Sequence, residues 1–332
     1  MSGTPGALQG TALRILHRFA QDLHRQDSEV RAARNGAQAI VSIHVSRSDR
    51  MSNMNVGVVG AGTMGQGIAQ VLASSGVNVK LYDVADEPLE RAQGSINRGL
   101  DRLVSKDRLS ESDRDDALAR LETTSKLDAL SDCEIIIEAA PEDPELKEKL
   151  FRDLSALSRE AILASNTSSL SLTRLAAVSE RPERVVGMHF FNPVPVMGLV
   201  EVIRAEQTSD DTVKRVEQLA EQMGKTAVAI ADSPGFAVNR LLVPMINEAA
   251  FLVQENAATP EAIDQAMKLG ANHPMGPLAL ADLVGLDVCL AIMEVLQDGF
   301  GDPKYRPCPL LKRMVAAGHL GRKSGRGFYE YK

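Results

Sequence analysis

The segment Gly60-Ala-Gly62-Thr63-Met64-Gly65 constrains the fold of this chain more than any other. It follows Asn55-Val-Gly-Val-Val, a short β-branched run without charge that reads as a buried parallel strand. Behind it Ile68, Ala69, Val71, Leu72 and Ala73 fall at helical spacing as far as Gly76, a suitable helix stop. Val77 to Asp83 then alternates apolar and polar residues, so a second strand ends on an acid, 18 residues beyond Gly65. A GxGxxG string alone is weak evidence. Strand, glycine turn, helix, strand and acid in this order form a dinucleotide-binding unit.

Each part has a physical task. Gly60 permits the tight turn, Gly62 lets backbone approach a pyrophosphate, and Gly65 lets the helix pack close to the sheet. Thr63 and Met64 open the helix, whose free N–H groups and positive dipole end attract phosphate. Asp83 accepts from the adenosine ribose hydroxyls and repels a 2′-phosphate, so the expected cofactor is NAD rather than NADP. The bland reading of Asp83 is a solvated strand end. The βα rhythm continues with helix over 86–106, strand over 134–138, helix over 144–158, and strands over 161–165 and 184–190. That alternation predicts an α/β fold, with a doubly wound parallel sheet of Rossmann type holding its ligands at the carboxyl strand ends.

Residues 1–50 hold seven Arg and four acids, whereas the remainder holds 30 basic and 40 acidic residues. The overall charge of −7 and the lack of Trp argue against nucleic acid as a partner. No apolar run is long enough for a membrane span, and three unpatterned cysteines read as free thiols in a reducing, cytoplasmic setting. Residues 1–53 are expected to be a disordered or wrongly assigned N-terminal extension, because Met51 and Met54 stand just before the first strand. The alternatives are an accessory helix and an organellar transit peptide, which would move the protein to the mitochondrial matrix. Four acids and few hydroxyls count against a transit peptide.

Chemistry-bearing residues cluster in later segments: Asn166-Thr-Ser168-Ser169, Gly187-Met-His189-Phe-Phe-Asn192-Pro193, Leu199-Val-Glu201-Val-Ile203 and Asp232 to Arg240. A short Pro-containing loop from Asn192 to Gly198 joins two strands and is able to bring His189 and Glu201 together. Oxidation of an alcohol needs a base for the hydroxyl proton, and a neutral imidazole suits that near pH 7. A neighbouring carboxylate fixes its tautomer and stabilises the imidazolium. On its own, a strand-end His is more often a structural hydrogen-bonding group.

Together the strings GAGTMGQGIA, ASNTSSL, GMHFFNPVPVM, LVEVI, DSPGFAVNRLL, PMGP and KSGRGFYEY resemble the 3-hydroxyacyl-CoA dehydrogenase family, closest in layout to bacterial 3-hydroxybutyryl-CoA dehydrogenases. The resemblance runs from about residue 54 to 332. It implies His189 as general base with Glu201 as its partner, and Ser168 and Asn239 as ligands of the reacting oxygen and acyl group. It puts Asn192 beside that pair, and Glu142 and Lys147 near the nicotinamide. It implies reversible NAD-linked oxidation of an (S)-3-hydroxyacyl-CoA, short-chain by layout, in fatty-acid or butyrate metabolism. Ser168 and Asn239 also stand near predicted helix starts, where capping is the bland explanation. Lys106 matches a CoA-contacting lysine, and Arg98, Arg102 and Lys106 recur along one predicted helix face. The family often has serine where this chain has Gly99, which weakens that part of the CoA site.

Beyond Pro234 the pattern becomes helical, with helices predicted over 236–255, from Thr259, over 278–297 and over 309–317. The expected organisation is therefore an NAD-binding domain over 54–234 and an all-helical domain over 235–332. The family resemblance gives the second a dimerisation and substrate role, hence a homodimer. A lambda-crystallin-like L-gulonate or other hydroxy-acid dehydrogenase would keep the His–Glu pair without CoA contacts. A non-enzymatic NAD sensor would not need base, carboxylate and Ser/Asn ligands together.

Overall fold

A computed structural model describes residues 54–331, so the expectations for residues 1–53 lie outside the described residues. Eight strands form one sheet in the order β3-β2-β1-β4-β5-β6-β7-β8. The first βαβ unit is β1 (Asn55–Val59), α1 (Thr63–Ser74) and β2 (Asn78–Tyr82). Then come α2 (Asp86–Val104), α3 (Glu111–Ala119), β3 (Leu121–Thr124), β4 (Ile135–Glu138), α4 (Pro144–Leu157) and β5 (Ile162–Ser165). Next are α5 (Leu172–Ala177), β6 (Val185–Phe190), β7 (Leu199–Arg204), α6 (Asp210–Gln222) and β8 (Thr226–Ala231). Val56, Val58, Ile135, Ile137 and Ala164 pack with α1 and α2 in one apolar layer, and Ile136, Leu163 and Phe151 in the other. Burial on both sheet faces explains why these strands read as unbroken apolar runs.

The chain returns to the sheet centre between β3 and β4, so the strand order reverses at the β1–β4 boundary. Such a switch point opens a crevice outside the carboxyl strand ends. β3, β8 and α6 were not predicted. β7 pairs antiparallel with β6, so the sheet is not parallel throughout, and β8 follows β7 in parallel. The loop between β6 and β7 is too short for a parallel crossover.

The C-terminal part is helical: α7 (Val238–Gln254), α8 (Pro260–Gly270), α9 (Pro277–Val284), α10 (Leu286–Phe300) and α11 (Pro309–Ala316). Thr259 caps α8 as predicted, accepting from Ala262 N at 3.3 Å. The single helix predicted over 278–297 is in fact two. Gly285 adopts φ +107, which breaks the helical ladder and sends α10 in a new direction. Similarly α2 stops at Val104, so Lys106 lies in the following turn and the Arg98–Arg102–Lys106 helical row loses its last member. No described helix is long and apolar enough to cross a membrane.

Candidate active site

The glycine turn follows directly from its sequence. Gly60 has φ +102, and a Cβ on Gly65 would collide with the Gly60 carbonyl oxygen. A Cβ on Gly62 would project into open space with no atom within 4 Å. That empty approach lies at the N-terminus of α1, where Gly62 has no capping side chain. Thr63 is exposed and Met64 half-buried, in the first turn. Asp83 Oδ2 accepts from Ala61 N at 2.8 Å, which fixes the carboxylate over the turn, and Oδ1 makes no hydrogen bond among the described residues. These groups border a cleft of about 800 Å3 running from Asp83 and Val84 past the glycine turn to Ala140 and Leu146. A bare helix N-terminus, an open glycine edge and a carboxylate with a free oxygen fit a dinucleotide.

His189 and Glu201 are direct cross-strand partners on β6 and β7. Opposed residues on one sheet face hold their Cβ atoms about 5 Å apart, within reach of these two side chains. His189 Nδ1 lies 2.7 Å from Glu201 Oε2, and Nε2 makes no hydrogen bond among the described residues. Both side chains are buried, at 7% and 1% exposure. Phe191 and Phe236 flank the imidazole, with ring centroids at 4.6 and 5.5 Å.

The other oxygen of Glu201 has a second task. Oε1 accepts from Ala237 N at 3.2 Å and Val238 N at 2.9 Å, at the start of α7. Ala237 offers no capping oxygen of its own, so a carboxylate from the sheet caps this helix and meets its positive dipole end. Gly235 and Phe236 reach this arrangement with φ of +73 and +51. For Phe236, a non-glycine residue in the left-handed region, that backbone is strained. Asn239 lies in the first turn of α7 and its side chain makes no hydrogen bond among the described residues, so it does not cap the helix.

A second polar group occupies the ends of β4 and β5. Glu138 accepts from Lys147 Nζ at 2.6 Å, Ser165 Oγ at 2.6 Å and Ala140 N at 2.7 Å. Lys147 also lies 3.2 Å from Glu142 and donates to Ala140 O at 3.3 Å. Glu142 Oε1 accepts from Thr167 Oγ1 at 2.5 Å, Ser168 N at 2.8 Å, and Ser169 N and Oγ at 3.1 and 2.8 Å. Burial alone would raise the Glu142 pKa. The Lys147 ammonium and the donors of Thr167, Ser169 and Ser168 outweigh it and hold the carboxyl below its ordinary range.

Ser168 is thereby fixed through its backbone, with Oγ 3.4 Å from Glu142. Its expected capping role is not seen, because Ser171 caps α5. Asn166 joins this loop to the His189 strand, its Oδ1 accepting from Phe190 N at 2.9 Å. The structure thus joins His189 to Glu201, Ser168 to Glu142 and Lys147, and Asp83 to the glycine turn. Asn192 is exposed just after β6, and Lys106 is exposed and joins none of these groups. Lys147 is fully buried, with Glu138, Glu142 and Ala140 O around its ammonium. Sequence reading passed over Glu138. The available signal was a charge ending the otherwise apolar run Ile135-Ile-Ile-Glu138.

Residues 55–233 match the NAD-binding domain of 3-hydroxyacyl-CoA dehydrogenase, and residues 235–331 match the C-terminal domain of that enzyme family. The chain is 54% identical over 279 residues to a probable 3-hydroxybutyryl-CoA dehydrogenase of Deinococcus radiodurans, covering 84% of this chain and 100% of the relative. It is 53% identical over 278 residues to the 3-hydroxybutyryl-CoA dehydrogenase of Bradyrhizobium diazoefficiens, covering 83% and 95%. The crystal structure of (S)-3-hydroxybutyryl-CoA dehydrogenase from Ralstonia eutropha superposes with a TM-score of 0.82 at 53% identity, covering 84% of this chain and 99% of that one. The chain belongs to the 3-hydroxyacyl-CoA dehydrogenase family, with an N-terminal NAD-binding domain of Rossmann type and a helical C-terminal domain.

Proposed function

We propose that the protein interconverts short-chain (S)-3-hydroxyacyl-CoA, chiefly 3-hydroxybutyryl-CoA, and the 3-ketoacyl-CoA, using NAD. The observation that carries the reading is the buried His189–Glu201 pair, with Nδ1 bound at 2.7 Å and Nε2 left available. In the oxidation direction, Nε2 takes the proton of the 3-hydroxyl group. Glu201 holds the proton on Nδ1, keeps Nε2 basic and offsets the charge of the imidazolium. Ser168 and Asn239 donate to the substrate's 3-oxygen and hold it against the imidazole, and Asn192 helps order the acyl group. Phe191 and Phe236 keep water from the ring.

NAD would lie on Gly60, Gly62, Thr63, Met64 and Gly65, with its adenosine ribose on Asp83 and Glu142 beside the nicotinamide. When bound, it accepts hydride from carbon 3 of the substrate. Lys147 would stand with Glu142 on the nicotinamide side and hold its carboxylate. Lys106 is assigned to the CoA phosphates on its family position and exposure. Exposed Leu241, Leu269 and Leu283 on α7, α8 and α9 favour burial against a second copy, giving a homodimer. Free, buried thiols suit a reducing cytoplasm, and the reaction suits fatty-acid or butyrate metabolism.

The test is steady-state kinetics of the purified protein with acetoacetyl-CoA, longer 3-ketoacyl-CoAs and a free hydroxy acid. Acetoacetyl-CoA with NADH should be the preferred pair. Replacement His189→Ala should lower turnover by about 10²–10⁴-fold. A preference for the free hydroxy acid, or near-native turnover of His189→Ala, would refute the assignment.

A further inference from the structure

Glu138 is a buried carboxylate that the mechanism leaves unused. It is 1% exposed and 2.6 Å from Lys147 Nζ. Glu142 is 3.2 Å from the same ammonium and about one-third exposed, at 35%. One cation therefore faces two anions, and the group carries one net negative charge. Lys147 donates to Glu138 and to Ala140 O, and Glu142 is held by charge at 3.2 Å. Its closer partner is sealed from water, where a charge pair is strongest. Glu138 thus takes up most of the lysine charge, and the surplus negative charge rests on Glu142, the acid nearer solvent.

Strand order locates that charge relative to the coenzyme. Asp83 ends β2 on the adenosine side, the glycine turn follows β1, and His189 stands near the end of β6. Between β1 and β6 lie only β4 and β5. A coenzyme running from Asp83 towards His189 must cross their ends, where Glu142 grips the loop of Thr167 to Ser169. The nicotinamide ring is cationic when oxidised and neutral when reduced, so a fixed anion beside it distinguishes the two forms.

We propose that Glu138, by sharing the Lys147 ammonium, leaves Glu142 an only partly compensated anion beside the nicotinamide, and that this charge favours oxidised over reduced coenzyme. The inference rests on the coenzyme reading above. A unit charge at ~8 Å and an effective dielectric of ~20 corresponds to about 30-fold in a binding constant. Solvent around a partly exposed Glu142 reduces this to about 3–10-fold.

The experiment measures Kd for NAD by calorimetry and for NADH by its own fluorescence, in the native protein, Glu138→Gln and Glu142→Gln. Both variants should raise the ratio of Kd(NAD) to Kd(NADH) by about 3–10-fold, chiefly through weaker NAD binding. Glu138→Gln keeps an oxygen for Lys147 and Ala140 N and leaves the Glu142 contacts in place. A purely architectural role would therefore shift both constants equally and leave the ratio unchanged. An unchanged ratio in both variants overturns the proposal, and a shift confined to Glu142→Gln overturns the part given to Glu138. Failure of the native protein to bind either nucleotide instead removes the coenzyme reading itself.

Discussion

Substitution Glu201→Gln probes the site most sharply, because both carboxylate oxygens are committed. Oε2 faces His189 Nδ1 and Oε1 faces two backbone N–H donors of α7. A glutamine has one oxygen and one NH2 to divide between them. If its oxygen faces α7, the NH2 faces Nδ1, which must then accept, and the ring proton moves to Nε2. The nitrogen needed as base is lost. If the amide flips, its NH2 opposes the donors of Ala237 and Val238, leaving buried N–H groups unpaired at about 1–3 kcal/mol each. The first orientation is favoured by that difference. The expected result is a fall in kcat of about 10²–10⁴-fold, with NADH affinity within about twofold of native. Lost attraction between carboxylate and helix dipole costs about 1–2 kcal/mol, or a few degrees in Tm at this size. Stopped-flow reduction of acetoacetyl-CoA, NADH titration and thermal unfolding measure the three quantities. Native-like kcat in a folded variant would refute the proposed role of the pair.

Other outcomes follow from the same contacts. Lys147→Met should destabilise the fold by about 3–5 kcal/mol in urea, because it leaves Glu138 charged and unpaired; an unchanged midpoint would contradict the buried ion pair. Burial raises the thiols of Cys133 and Cys289 to about 12. The native protein should therefore leave both unlabelled by a thiol reagent at pH 8 and expose them on unfolding; rapid native labelling of either counts against its burial. Turnover should favour NADH over NADPH, since Asp83 opposes a 2′-phosphate, and a reversed preference would remove Asp83 from the ribose site.

The features legible in the chain were local ones. The glycine turn, the helix start at Thr259 and the acid ending β2 need only neighbouring residues, and each stands where the pattern put it. Gly285 stood in plain view, but its positive φ was not signalled, because the apolar pattern continues across it on both sides. Edge strand β8, largely exposed, lacked the apolar burial pattern that marked the central strands. The ion pair of Lys147 with Glu138 was not legible, because the partners stand nine residues apart and their burial depends on how α4 packs against β4 and β5.

Sequence alone determined the dinucleotide unit, the two-part organisation and the candidacy of His189, since strand and helix periodicities and turn residues act at short range. Only the tertiary structure decided that Glu201 faces His189 in register, that the same carboxylate caps α7, and that Lys147 lies sealed between two acids. Those facts depend on strand pairing and on desolvation, which arise from residues far apart in the chain and leave no periodic mark in it.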